Sequence, residues 1–199
     1  MVITYNGDNY FKIQSGEEAI LIDPTNQRAY KGTVAVLNTK QPTLSPAPEA
    51  TEPFWIEHQG EYEIKGIRIT GWSAEANKNN KDNENSQRTI YKIEFDDINI
   101  GVLGYIEDEP SQEIQEFLKA VDIIIAPASG KPYLTPASLA KILRQIEPGI
   151  IIPSLFKKPD EIKQFLKELG QTPKEEEKLV IKKKDIVEKA MTVKVLEQK

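Results

Sequence analysis

Two runs of β-branched residues constrain this chain more than any other feature: Ile123-Ile124-Ile125-Ala126-Pro127 and Ile150-Ile151-Ile152-Pro153. A strand that is apolar on both faces must be covered on both faces, so each run predicts a buried strand, and each stops at a proline. The cover is written beside them. Apolar residues recur at i, i+3, i+4 and i+7 in three stretches: Ile114, Phe117, Leu118 and Val121; Leu139, Ile142, Leu143 and Ile146; Ile162, Phe165, Leu166 and Leu169. Each set makes one stripe on one helix face, suited to packing on a sheet. Ser111, and Thr135 before Pro136, mark helix starts, and Gly170 marks the end of the third helix.

The first hundred residues have a different character. Short strands are predicted over residues 2–5, 10–15, 19–22, 33–37, 61–64, 67–71, 90–95 and 98–103. Ser15-Gly16, Lys65-Gly66 and Asp96-Asp97 are tight connections between them, and Asp23-Pro24 closes the third strand. Residues 39–53 carry four prolines and residues 75–87 carry five asparagines, so both read as exposed loops. Strands resume promptly after each, which predicts one domain over residues 1–199 rather than two joined by a linker. The lysine-rich tail, residues 173–199, reads as charged surface bearing edge strands near 179–181 and 192–196. Strands first and αβ units second predict an α/β protein, a four-layer αββα sandwich.

Composition removes several kinds of function. With 31 acids against 26 bases the net charge is −5, the wrong sign for a nucleic-acid partner. Without cysteine there are no disulfides, thiolate metal sites or cysteine nucleophiles, and His58 is the only imidazole. No apolar run approaches the roughly 18 residues that span a bilayer, so no membrane partner is expected and a cytoplasmic location is.

Several local patterns, in order, resemble one family. Tyr5-Asn6-Gly7-Asp8-Asn9-Tyr10-Phe11-Lys12-Ile13 leads into Ala19-Ile20-Leu21-Ile22-Asp23-Pro24, then come a hairpin from Gly60 to Thr70, a buried strand ending at Pro127 and a last core strand ending at Pro153. This series resembles the metallo-β-lactamase superfamily, in particular the branch of small zinc-dependent hydrolases similar to L-ascorbate-6-phosphate lactonase. The resemblance covers nearly the whole chain and implies the αββα fold. It also implies a hydrolytic zinc site built from an HxHxDH motif with further histidines and an aspartate, in which the metal turns water into a nucleophile.

The chain departs from that pattern at the metal ligands. The motif's place falls on Lys40-Gln41-Pro42-Thr43-Leu44-Ser45, and the early histidine is replaced by Asp8. By the same resemblance a later histidine falls at Asn99, the bridging aspartate at Val102 and the histidine after the last core strand at Leu155. One imidazole cannot build a zinc shell, so His58 reads as a surface or locally bonded histidine, and Asp23 reads as a turn cap that accepts backbone N–H bonds. Asp8, Asp23, Asp96 and Asp97 are the available hard-cation oxygens, but they lack the dense alternation of a carboxylate loop. Ser129 and Ser154 lack a nucleophile elbow. The loop from Ala128 to Tyr133 is a turn back into helix, with an anion cradle at Lys131 as the competing reading. Trp55, Trp72, Phe54 and Tyr62 read as packing residues.

The expectation is therefore a non-catalytic protein of this fold with a binding or assembly role, with no metal and no cofactor. Its residual cleft would be lined by Asp8, Asp23, Lys40, Asn99, Ser129 and Leu155. The partner would be an unidentified small ligand or protein, a second copy included. The alternatives are a divergent hydrolase that holds its metal through carboxylates or through another subunit's side chains, and a structural subunit of an oligomer.

Overall fold

The computed structural model describes residues 1–26, 32–40, 53–74 and 88–199. The first nine strands are β1 (Val2–Tyr5), β2 (Phe11–Ser15), β3 (Glu18–Ile22), β4 (Thr33–Leu37), β5 (Phe54–Ile56), β6 (Gly60–Ile64), β7 (Ile67–Ala74), β8 (Arg88–Phe95) and β9 (Ile98–Val102). Then follow α1 (Gln112–Leu118), β10 (Ile123–Pro127), α2 (Pro136–Ile146), β11 (Ile150–Ser154) and α3 (Lys163–Leu169). The tail supplies four two-residue strands, β12 (Glu175–Glu176), β13 (Leu179–Val180), β14 (Thr192–Val193) and β15 (Val195–Leu196).

These strands make two large sheets of order β13-β1-β2-β3-β4-β5 and β14-β11-β10-β9-β8-β7-β6, with β12 and β15 paired apart. The first sheet is an antiparallel meander through β3, to which β4 and β5 add in parallel. In the second, β6 to β9 are antiparallel and β9, β10, β11 and β14 run parallel. Alternate residues on the facing sides, among them Ile3, Tyr5, Phe11 and Ile13 from one sheet and Ile69, Tyr91 and Ile93 from the other, share one buried core. Tyr91 ties the layers directly: its hydroxyl donates to the carbonyls of Asn38 at 3.0 Å and Ile56 at 3.1 Å.

Both isoleucine runs are wholly buried central strands. Their crossovers through α1 and α2 join parallel neighbours, which places both helices on one face of the larger sheet. The caps are as the side chains dictate: the Ile114 N–H donates to Ser111 Oγ at 3.3 Å and the Ser138 N–H to Thr135 Oγ1 at 3.2 Å. The third stripe starts in a 3₁₀ turn, Pro159–Ile162, and stops at Gly170 with φ 66°. Val121 lies beyond the end of α1 yet stays buried, because the chain turns there straight into β10. On the outer face of the smaller sheet, Leu21, Val36 and Trp55 stand in register across β3, β4 and β5, and together with Tyr10 they form a second, smaller apolar cluster.

Some elements differ from expectation in extent. The strand foreseen at 67–71 runs on to Ala74, and its partner begins at Arg88. The stretch 192–196 divides, because Val193 pairs with β11 whereas Val195 pairs with β12. The expected loops at 39–53 and 75–87 lie outside the described residues except for Thr39, Lys40, Pro53 and, in the motif region, nothing beyond Lys40. Among the described residues, no helix is long and apolar enough to cross a membrane.

Candidate functional site

Parallel strands deliver their C-terminal ends to one edge of a sheet, and at that edge loops from the two sheets bring polar side chains together. From the smaller sheet come Asp23 after β3, Thr39 and Lys40 after β4, and the β1–β2 turn with Asp8 and Asn9. From the larger sheet come Tyr105 after β9, the Ser129 to Tyr133 loop after β10, and Leu155 after β11.

Asp23 is the buried anchor. It turns through a left-handed φ of 44° and is 7% exposed. Its Oδ1 accepts the Thr39 backbone N–H at 2.8 Å, and its Oδ2 accepts the Thr39 hydroxyl at 2.5 Å and the Asn9 side-chain amide at 2.6 Å. Burial pushes its pKa up to about 6, against the pull of these three donors and of Lys40. Thr39 can approach only because residue 104 is glycine. At φ +61° Gly104 tolerates the left-handed turn after β9, and any added Cβ would run into the Thr39 side chain.

Asp8 is exposed on the turn above this anchor, and its backbone is pinned. Its carbonyl accepts the Leu155 N–H at 2.7 Å and the Tyr5 hydroxyl at 3.0 Å, and the same hydroxyl reaches the Phe156 carbonyl at 3.1 Å. The turn is also braced from behind, because the Gln198 side chain lies against Gly7 where a Cβ would otherwise be.

Lys40 is half-buried, and its Nζ stands 3.7 Å above the centroid of the Tyr105 ring. Burial draws its pKa below the ordinary lysine value, and Arg88 does the same, while Asp23 and Asp8 oppose the shift. The Tyr133 ring meets the Tyr105 ring edge-on at 5.9 Å. Arg88 closes the far side: its Nε donates to the Tyr105 carbonyl at 3.3 Å and its guanidinium lies 3.5 Å from Glu107.

Of the six residues expected to line the cleft, Asp8, Asp23, Lys40, Ser129 and Leu155 come from loops at this edge. Asn99 does not. It sits at the opposite, N-terminal end of β9, where its N–H donates to Asp122 Oδ2 at 2.8 Å and its carbonyl accepts the Asp122 N–H. Val102, placed by resemblance at the bridging aspartate, is a buried core residue at the end of β9, and it is the buried Tyr105, three residues on, whose ring meets Lys40. Asp23 does accept a backbone N–H, as foreseen, but two side-chain donors join it. Asp96 and Asp97 form the β8–β9 hairpin turn, where Asp96 accepts the Ser15 hydroxyl at 2.6 Å, far along the strands from Asp23. His58 is exposed in the bend between β5 and β6. Of the motif region Lys40-Gln41-Pro42-Thr43-Leu44-Ser45, only Lys40 is among the described residues.

The donor set at this edge does not fit a zinc ion. The chain owns one histidine and no cysteine. Both Asp23 oxygens are engaged by Thr39 and Asn9, and a lysine ammonium occupies the neighbourhood. Asn9 Oδ1, which accepts no hydrogen bond among the described residues, is a neutral amide oxygen and no metal shell by itself. Among the described residues, no three histidine, aspartate or glutamate side chains gather as a metal site would require.

Two stacked sheets with helices packed on the larger one define an α/β sandwich protein, with polar side chains gathered at one edge of the sandwich. Residues 2–154 match the family model of the beta-lactamase superfamily domain, and the chain belongs to that family. The fold is that of metallo-β-lactamase proteins. A candidate Zn-dependent hydrolase of the metallo-β-lactamase superfamily from Thermotoga maritima superposes with a TM-score of 0.79 at 18% identity, over 100% of this chain and 99% of that one. The metallo-β-lactamase fold protein YhfI from Bacillus subtilis gives 0.66 at 8% identity, over 99% and 96%. The isothiocyanate hydrolase from Delia radicum gut bacteria gives 0.63 at 12% identity, over 92% and 99%. At such identities the likeness is one of fold. Among curated proteins no sequence matches the chain.

Proposed function

We propose that this chain is a metallo-β-lactamase-fold protein that works without a metal, its strand-end cleft serving to bind a small ligand rather than to hydrolyse one. One observation carries the reading: the buried carboxylate of Asp23 spends both oxygens on Thr39 and Asn9. Lys40 reinforces it. An ammonium beside Asp8 and Asp23 supplies positive charge to the same carboxylates that would otherwise attract a cation, and it cannot itself ligate a metal while protonated.

Metal analysis of the protein purified without chelator tests this, together with thermal melts in added zinc. The expected result is substoichiometric metal and a melting temperature that zinc does not raise, since a ligand held by the native state alone would raise it. Stoichiometric zinc, lost on chelation together with a hydrolytic activity, would establish the divergent-hydrolase reading instead.

A further inference from the structure

The tail of the chain returns to the turn that carries Asp8 and Asn9, and it is firmly held on the way. β14 pairs in parallel with β11, so the residues that follow it head for the same strand ends as Leu155. The Lys194 N–H donates to the Ile151 carbonyl at 2.9 Å, Val195 and Leu196 are buried in the core, and the Glu197 N–H donates to the Glu176 carbonyl at 2.9 Å. Gln171 locks the approach from the side. Its carboxamide donates to the Met191 carbonyl at 2.7 Å and accepts the Val193 N–H at 2.9 Å, as a neighbouring strand's peptide group would.

The tail then passes from the larger sheet at Val193 to the smaller one at Gln198. Gln198 forms a parallel bridge with Tyr5, the last residue of β1, and the Lys199 N–H donates to the Tyr5 carbonyl at 3.1 Å. The Gln198 carboxamide fills the space over Gly7 that a side chain would take there, and Gly7 has a left-handed φ of 93°. That glycine belongs to a closed turn: its carbonyl accepts the Tyr10 N–H at 2.8 Å, and the Asn6 N–H donates to the Tyr10 carbonyl at 2.8 Å. The same turn aims Asn9 at Asp23, which the Asn9 amide reaches at 2.6 Å, and offers the Asp8 carbonyl to the Leu155 N–H at 2.7 Å.

We propose that Gln198 and Lys199 are a strap that sets the turn from Asn6 to Tyr10, and through it the hydrogen bond from Asn9 to Asp23. Both are positioning residues, acting through the turn rather than on the carboxylate. Gln198 blocks the turn from moving back toward the tail, and Lys199 fixes the end of the strand from which the turn springs. The strap goes beyond the metal-independent binding reading and holds whatever this edge of the sandwich takes up.

The test is hydrogen exchange by NMR on the full chain, read at the Asn9 side-chain amide, the Leu155 backbone amide and, as an internal reference, the amides of β10. Gln198→Gly empties the space over Gly7, and Lys199→Pro removes the N–H that reaches Tyr5. Each should speed exchange at Asn9 and Leu155 by at least about threefold while β10 keeps its wild-type rates, the mark of a local opening. Gln198→Met refills the space and should restore the wild-type rates. Ser111→Ala, in the cap of α1, is the remote control and leaves the Asn9 rate unchanged. The inference is overturned if Asn9 and Leu155 exchange as slowly in both strap variants as in the wild type. It is equally overturned if β10 accelerates as much as they do, which would be a general loss of stability, or if the methionine variant exchanges as fast as the glycine one. None of these rates measures metal content, so failure here leaves the binding reading standing.

Discussion

Thr39→Val deletes one donor from the Asp23 cluster and little else. The variant keeps the backbone N–H to Oδ1 at 2.8 Å and loses the hydroxyl to Oδ2 at 2.5 Å. Asp23 has a folded pKa raised from 3.8 to about 6, so the native state holds the proton more tightly than the unfolded chain. The stability this confers is full below pH 4 and is lost as the pH rises through 6, a decline of about 3 kcal/mol at 1.36 kcal/mol per pH unit. A hydrogen bond to the ionised carboxylate contributes about 1.5–3 kcal/mol, and one to the neutral acid about 1 kcal/mol. Thr39→Val should therefore cost about 2 kcal/mol at pH 8 and about half that at pH 4.5, the difference appearing as several-fold tighter proton binding at Asp23. Urea unfolding of both proteins at the two pH values measures this, and effects from other titrating groups cancel in the comparison. An equal loss at both values would mean that Thr39 does not stabilise the charge, and the account of the anchor would fail.

Other changes probe the same edge. Gly104→Ala forces a methyl against Thr39 at a positive φ, and chemical denaturation should show a loss of at least about 2 kcal/mol. A wild-type midpoint would contradict the close approach. Tyr91→Phe removes the hydroxyl that ties the sheets at Asn38 and Ile56, at a cost of about 1–2 kcal/mol. Calorimetry should register that as a melting temperature lower by a few degrees, and an unchanged transition would remove the tie from the explanation of sheet packing.

The elements were legible wherever a local rule decides them. Pro136 after Thr135 opens α2, Gly170 closes α3, and the Asp96-Asp97 pair takes φ values of 53° and 61° in the β8–β9 turn. The family's pattern singled out Asp8, Asp23 and Lys40, and the fold brings the loops that carry them to one edge. The hydrogen-bonding partners were not legible. Asn9 and Thr39 reach Asp23 from 14 and 16 residues away, and Tyr105 meets Lys40 across the boundary between the sheets. Gly104 was a usable sign, since a glycine directly after a buried strand marks a close approach. Asn99 was misplaced for a simple reason: a resemblance assigns a residue to a strand region but does not say at which end of the sheet it emerges, and Asn99 enters β9 where Tyr105 leaves it.

By itself, the sequence determined the order of the helices and of the longer strands, β5 and β12 excepted, the burial of the isoleucine runs and the count of a single histidine. These follow from short-range periodicity and from counting, which need no coordinates. Only the tertiary structure decided that Asp23 is enclosed by Thr39 and Asn9, and that Lys40 rests on Tyr105. Those contacts depend on the register and direction of strands in two different sheets, and a side chain's charge acquires its meaning only from what packing brings beside it.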